Sequence, residues 1–286
     1  MRAQISLSDR ELENRSLNTA SVEEAARLFS QQGALFIKNV FRKDLIQKLR
    51  DAFLEDYANR PDDEIRETCL EVGDKRFMFT IAIRYPFNDP DLYASPLLLP
   101  ILRTLVGSDC VLQSVGVVCA YPGSEMQHLH ADHPPLFEEA VGLNAFFPPY
   151  ALHVVVPLVD LNEECGTTAL WEGSHRMKSP GDEKKFSAPA TDTLEGASFP
   201  WPKMGDCYLM DYRLRHRGTP NRSNRPRPIL YLVFTRPWFQ DRKNYAKQPR
   251  LVMDPPEYEK ISEEHRVLFE TMRPVGPAHR QHGAEF

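Results

Sequence analysis

A chain of 286 residues with 42% apolar, 26% charged and 10% aromatic residues can bury a substantial core as one domain, which excludes a disordered or fibrous protein. Its net charge of -5, its pI near 6.0 and the lack of any basic block exclude the electrostatic footprint of a nucleic-acid or membrane-surface binder and leave a small molecule as the expected partner. Five scattered cysteines without C-x-x-C spacing exclude a disulfide framework or zinc ribbon; with a polar N-terminus and no run of membrane-spanning length, a cytoplasmic protein is expected, with a homodimer allowed.

Helices come first along the chain. "SVEEAARLFSQQG" opens with Ser21, carries Glu24 three residues on as a capping box, and closes on Gly33. "ALFIKNV" reads as a short strand, and "RKDLIQKLRDAFLEDYAN" returns to helical spacing through Leu45, Leu49, Ala52 and Phe53. Residues 91–107 form another helical stretch, started or broken by Pro96 and Pro100. From residue 110 the apolar period falls to two in "CVLQSVGVVCAY", "YALHVVVPLVDL", "TTALWE", "DCYLMDY" and "RPILYLVFT", separated by Gly, Pro, Asn and Asp turns. Strands that follow helices imply an α+β fold, a jelly-roll barrel with helices packed outside. The expected layout is a single domain over 1–286, helical to about residue 108, barrel from about 109 to 240 and an irregular tail from about 241 with a helix in "PPEYEKISEEHRVLFETM". Inserts at 133–149 and 176–202 are too long for turns and are candidate lids.

The chemistry concentrates in "QHLHADHP", residues 127–134. In extended backbone His130 and Asp132 share a face while His133 points away, and His128 has the parity to join them. Read as H-x-H-x-D-H the stretch matches a binuclear zinc hydrolase of the metallo-β-lactamase type, but "PPLFEE" follows where that reading requires a Gly-rich turn. A second constellation, "GDCYLMDYRLRHRGTPNRSNRPRP", offers His216 near the end of a strand and Arg227 at the start of the next. Two histidines and a carboxylate leave three positions open on an octahedral Fe(II), enough for a bidentate cosubstrate and O2, and a buried arginine suits a dicarboxylate's far end. A third, "NEECGTTALWEGSHR", is a turn and strand whose His175 reads equally well as a loop cap. Lys75, Arg76 and Arg84, with Phe146, Phe147, Tyr150 and Trp201, are candidates for the substrate wall, or for ordinary core and surface. A zinc hydrolase and a non-catalytic cupin-like binding protein stay open as alternatives.

Taken in order, Gln127, His130 and Asp132, then "CGTTALWEGSH", then Gly205-Asp206, His216, "PNRS" and Arg227, resemble the phytanoyl-CoA dioxygenase family of Fe(II)/2-oxoglutarate oxygenases, over about residues 25–239. Cys165 stands where that family has Asn, and Glu172 where it has Pro. The resemblance implies His130, Asp132 and His216 as iron ligands, Arg227 with the Thr168 hydroxyl on the C5 carboxylate of 2-oxoglutarate, and Gln127 near its chelating end. It leaves His128 and His133 without a ligand role. Asp132, where halogenating relatives carry Gly or Ala, favours oxygen transfer. The implied reaction hydroxylates an unactivated C–H of a small organic molecule, in texture a secondary metabolite, with release of succinate and CO2.

Overall fold

The computed structural model describes residues 3–176, 194–244 and 249–271. In chain order the elements are β1 (Gln4–Ile5), α1 (Asp9–Asn14), α2 (Thr19–Gln32), β2 (Ala34–Ile37), α3 (Lys43–Phe53), α4 (Asp62–Thr68), β3 (Leu70–Gly73), β4 (Arg76–Thr80), α5 (Pro90–Tyr93), α6 (Leu99–Val106), β5 (Val111–Ala120), β6 (Ala151–Pro157), β7 (Thr168–Leu170), β8 (Cys207–Asp211), β9 (His216–Gly218), β10 (Arg227–Thr235) and α7 (Pro255–Glu259). One turn of π-helix, Leu54–Ala58, extends α3.

The larger sheet has eight strands in the order β1-β2-β8-β6-β10-β5-β4-β3, and every neighbouring pair except β1 with β2 is antiparallel. Period two divides its faces. Leu35, Phe79, Val117, Val154, Val156, Leu209, Leu230 and Leu232 point outward into one apolar cluster with Phe29 of α2, Leu45, Ile46, Leu49 and Phe53 of α3, and Leu102 and Leu105 of α6. Met78, Ser114, Gly116, Val118, His153, Met210, Ile229 and Tyr231 point inward and line a cavity. Because both faces are covered, these strands read as nearly unbroken apolar runs.

A smaller sheet closes the other side. β7 pairs with β9, and the irregular segment 124–132 runs antiparallel along the free edge of β9, through Gln127 N–H to the Gly218 carbonyl at 3.0 Å and the reciprocal pair His130–His216 at 3.0 and 2.8 Å. Two sheets facing each other, with helices on the outer face of the larger, make the expected α+β jelly roll.

The early segment differs from its sequence reading. Helix α2 begins at Thr19, two residues before Ser21, because Asn18 supplies the cap by accepting the Ser21 N–H at 2.8 Å. Glu24, freed from a capping box, takes a bidentate pair with Arg27 at 2.7 Å. The capping box occurs one helix earlier, between Ser8 and Glu11 of "SDRE". Strands also arise before residue 110: β4 lies along β5 from Arg76↔Ala120 to Thr80↔Gly116, so "RFMFT" belongs to the barrel wall and not to a helical preface. Residues 91–107 divide into α5 and α6, with Pro100 tolerated in the first turn of α6. The tail helix is α7 followed by a 3-10 stretch, Glu263–Phe269. Of the second insert, residues 177–193 lie outside the described residues. Among the described residues, no helix is long and apolar enough to cross a membrane.

Gly33 ends α2 at φ 74°, and a Cβ there would collide with the His175 ring and sit 2.8 Å from Leu214. Gly33→Ala therefore combines left-handed strain with overpacking and should lower stability by about 2–4 kcal/mol, read as a reduced midpoint in urea at unchanged slope.

Candidate active site

The His130–His216 backbone pair sets two imidazoles against each other at the mouth of the barrel, with ring centroids 4.4 Å apart. Each ring is oriented by its own chain: His130 Nδ1 meets the His128 carbonyl and His216 Nδ1 the Leu214 carbonyl, both at 2.9 Å. Each Nδ1 therefore carries the proton, and each Nε2 is left as a lone-pair donor facing inward. Asp132, two residues on from His130, brings its Oδ1 to 3.7 Å from His216 Nε2. One donor atom from each of the three residues lies within 4.8 Å of the others, and no second such cluster occurs among the described residues.

The electrostatics suit a cation. Burial, with His216 adding to it, holds the His130 imidazole down to about 4, so it is neutral and available as a ligand at neutral pH. Burial pushes the Asp132 carboxyl up, but His216 and the hydrogen-bonded His153 outweigh it and keep the group well below the usual carboxylate range. Two imidazoles that present Nε2 and one carboxylate form the donor set of a mononuclear iron site with open positions, and the residues present fit that metal.

His128 and His133 stay out of the cluster. The His128 ring is exposed and tilted against His130, with only its carbonyl engaged. The His133 Nδ1 turns to the Pro134 carbonyl and its ring packs edge-on to Phe239. The parity argument thus holds for His133, whereas at His128 it is broken by the extra residue between the Gln127–Gly218 and His130–His216 pairs.

The cavity behind the cluster measures about 530 Å³ and reaches Thr168, Arg76 and Arg227. Arg227 is 3% exposed, donates from Nη1 to the carbonyls of Cys165 and Thr219 at 2.9 and 3.1 Å, and leaves Nε without a partner. Arg76 is 1% exposed, donates to the carbonyls of Thr219 and Glu125 at 2.9 and 3.2 Å, and also leaves Nε unpaired. Neither has a carboxylate partner among the described residues. Burial and then the nearby Arg227 bring Arg76 down to about 9, and burial lowers Arg227 as well. Two buried guanidiniums with spare donors define an anion site at the inner end. Thr168 sits beside them on β7, opposite Gly218 and within hydrogen-bonding reach of Tyr231.

Gln127 lines the same cavity with both ends of its amide committed, Nε2 to the Val72 carbonyl at 2.6 Å and Oε1 to the Gly218 N–H at 2.8 Å. It braces β3 against β9, and contact with a cosubstrate requires it to exchange one of these partners. Among the candidates for the substrate wall, only Arg76 lines the cavity. Tyr150 is a core residue against Phe239, Arg84 pairs with Asp56 at 3.0 Å, and Phe146 is 79% exposed.

Sequence reasoning passed over His153 and Asn244. His153 on β6 hydrogen-bonds Asp132 Oδ2 at 3.0 Å, and Asn244 Nδ2 donates to the Asp132 carbonyl at 2.7 Å. A polar residue on the inward parity of "ALHVVVP" was a signal for the first; the irregular tail offers none for the second.

A jelly roll that holds two imidazoles and a carboxylate over an arginine-floored cavity is the architecture of a mononuclear iron oxygenase that takes an oxo-diacid cosubstrate. The sequence profile of phytanoyl-CoA dioxygenase (PhyH) matches residues 29–229, and the chain belongs to that family of Fe(II)/2-oxoglutarate-dependent oxygenases. It is 25% identical over 240 residues to the dioxygenase trt7 of Aspergillus terreus, covering 82% of this chain and 81% of that protein. It is 24% identical to the dioxygenase olcK of Penicillium canescens over 82% of this chain and 78% of the other. Among solved structures it is similar in fold to HygX of Streptomyces hygroscopicus with nickel and 2-oxoglutarate bound, at a TM-score of 0.59, 17% identity and 79% and 90% coverage of this chain and that one. The epimerase SnoN of nogalamycin biosynthesis, in complex with Fe3+, α-ketoglutarate and nogalamycin RO, gives a TM-score of 0.58 at 18% identity, with 77% and 85% coverage.

Because the His128 ring lies outside the donor cluster, His128→Ala should still bind one Fe(II) per chain. His130→Ala should lose it, as measured by metal content after anaerobic loading and desalting.

Proposed function

We propose that the enzyme hydroxylates a C–H bond of a small organic molecule, with His130, Asp132 and His216 holding Fe(II) and with Arg227 and Thr168 receiving the far carboxylate of 2-oxoglutarate. The observation that carries this reading is the placement of the donor cluster and the buried, half-satisfied Arg227 in one cavity. Iron and 2-oxoglutarate bound there supply the oxidising power: O2 is consumed, succinate and CO2 are released, and the substrate gains one oxygen atom. The protein's own residues orient and exclude. Arg227, with Arg76 in the same cavity, would fix the cosubstrate by its charged end, and the inward side chains of Met78, Val118, Met210 and Ile229 would help exclude water.

The exposed lining residues Leu70, Glu71, His128 and Lys243 mark the open end, where a substrate meets both apolar and charged groups. A volume of 530 Å³ falls within the range of about 300–1,000 Å³ typical of small-molecule pockets. A secondary metabolite as substrate is supported by the fold's likeness to SnoN, itself from nogalamycin biosynthesis. Five cysteines, none in a disulfide, support a reducing, cytoplasmic setting.

Anaerobic titration with Fe(II) and 2-oxoglutarate tests the assignment. Wild type should develop the weak visible metal-to-ligand charge-transfer band and His216→Ala should not; a wild type without the band sinks the reading. Arg227→Gln should raise the dissociation constant for 2-oxoglutarate by about 30- to 150-fold, the equivalent of about 2–3 kcal/mol for a lost charged hydrogen bond, while leaving Fe(II) affinity alone.

A further inference from the structure

Asp132 is restrained at three separate points. Its backbone N–H donates to the Tyr212 carbonyl at 3.1 Å, its carbonyl accepts from Asn244 at 2.7 Å, and its carboxylate is divided between two directions. Oδ1 faces His216 Nε2 at 3.7 Å, on the side of the donor cluster, while Oδ2 faces His153 Nε2 at 3.0 Å, on the side of the barrel wall. A carboxylate accepts only, so His153 Nε2 is the donor in this contact. His153 Nδ1 is buried without any partner, which leaves Asp132 as the imidazole's one hydrogen bond. The ring has little freedom to make another: it stacks on Tyr212 at 4.7 Å and 27°, and meets the edge of Tyr231 at 5.3 Å and 79°. Its place on β6, paired with Met210 of β8 and Val233 of β10 in the middle of the large sheet, fixes the backbone beneath it.

We propose that His153 is a positioning residue that retains the outer oxygen of Asp132, so that the carboxylate offers the metal a single oxygen and cannot close over a second coordination position. This rests on the reading of His130, Asp132 and His216 as the iron ligands. An aspartate free to bind through both oxygens would occupy one of the three positions that the bidentate cosubstrate and O2 need. The hydrogen bond from His153 opposes that rotation, and the tyrosine stack keeps the donor in place without competing for it.

Replacement by His153→Phe removes the donor while keeping a flat ring against Tyr212; His153→Gln restores an N–H at about the same reach. Circular dichroism and thermal midpoints establish folding, and His153→Met takes the place of the Phe variant if that one does not fold. In anaerobic titrations at saturating 2-oxoglutarate, the donor-free variant should bind Fe(II) about 10- to 100-fold more weakly than wild type, the usual penalty for losing a ligand's hydrogen-bond partner, and its charge-transfer band should move. His153→Gln should recover most of the affinity and the wild-type band. A donor-free variant with unchanged affinity and band overturns the role of His153 while the wild-type band upholds the ligand assignment. Equal losses in the Gln and donor-free variants also overturn it, since packing and not the hydrogen bond would then be at work.

Discussion

The reciprocal backbone hydrogen bonds between His130 and His216 are the constraint from which the site follows. They join two segments 86 positions apart, one an irregular edge and the other the short β9, and they fix which residues can meet across the smaller sheet. Once that pair is set, both imidazoles share a face and Asp132 follows at the next position of equal parity, while one extra residue on the way back puts Gln127, and not His128, against Gly218. β9 holds this register because β7 pairs on its other side, so the edge that carries the donor cluster depends on a strand of only three residues, Thr168–Leu170. The large sheet serves as the rigid back wall against which this smaller assembly is held.

Charge is separated along the cavity. Asp132 supplies negative charge at the outer end, next to two imidazoles, and Arg76 and Arg227 supply positive charge at the inner end. The apolar stretch between them strengthens both fields by keeping water out. A molecule with a chelating head and a distant carboxylate is complementary to that order, and one with the charges reversed is not. The helices that cover the outer face of the sheet contribute no lining residue to this cavity and pack against the strands from behind.

Much of this was legible in the sequence, for reasons that differ by residue. Strands β5, β6, β8 and β10 show their period because Val, Ile and Leu fill both faces of a buried sheet. The convergence of His130, Asp132 and His216 on one cavity with Arg227 was legible because their types and spacing match a chemistry that would need those groups together. The start of α2 was misplaced because two capping signals, Asn18 and Ser21, stand three residues apart, and only folding chooses between them. β4 was missed since five residues between a turn and a loop do not establish a period. His128 has the right type and parity, yet three residue steps from Gln127 to His130 oppose two from His216 to Gly218, and that irregularity breaks the alternation at His128. Asn244 could not be found at all: it reaches Asp132 across 112 positions, from a segment with no regular structure.

The unpaired Nε atoms of Arg76 and Arg227 bear on more than recognition. Both guanidiniums lean on the same carbonyl, that of Thr219, and burial lowers each one's hold on its proton, with Arg227 adding to the effect on Arg76. Folding thus leaves two buried positive charges side by side with donor atoms unused. An anion that binds these guanidiniums only in the folded chain therefore adds to the stability of the fold by mass action.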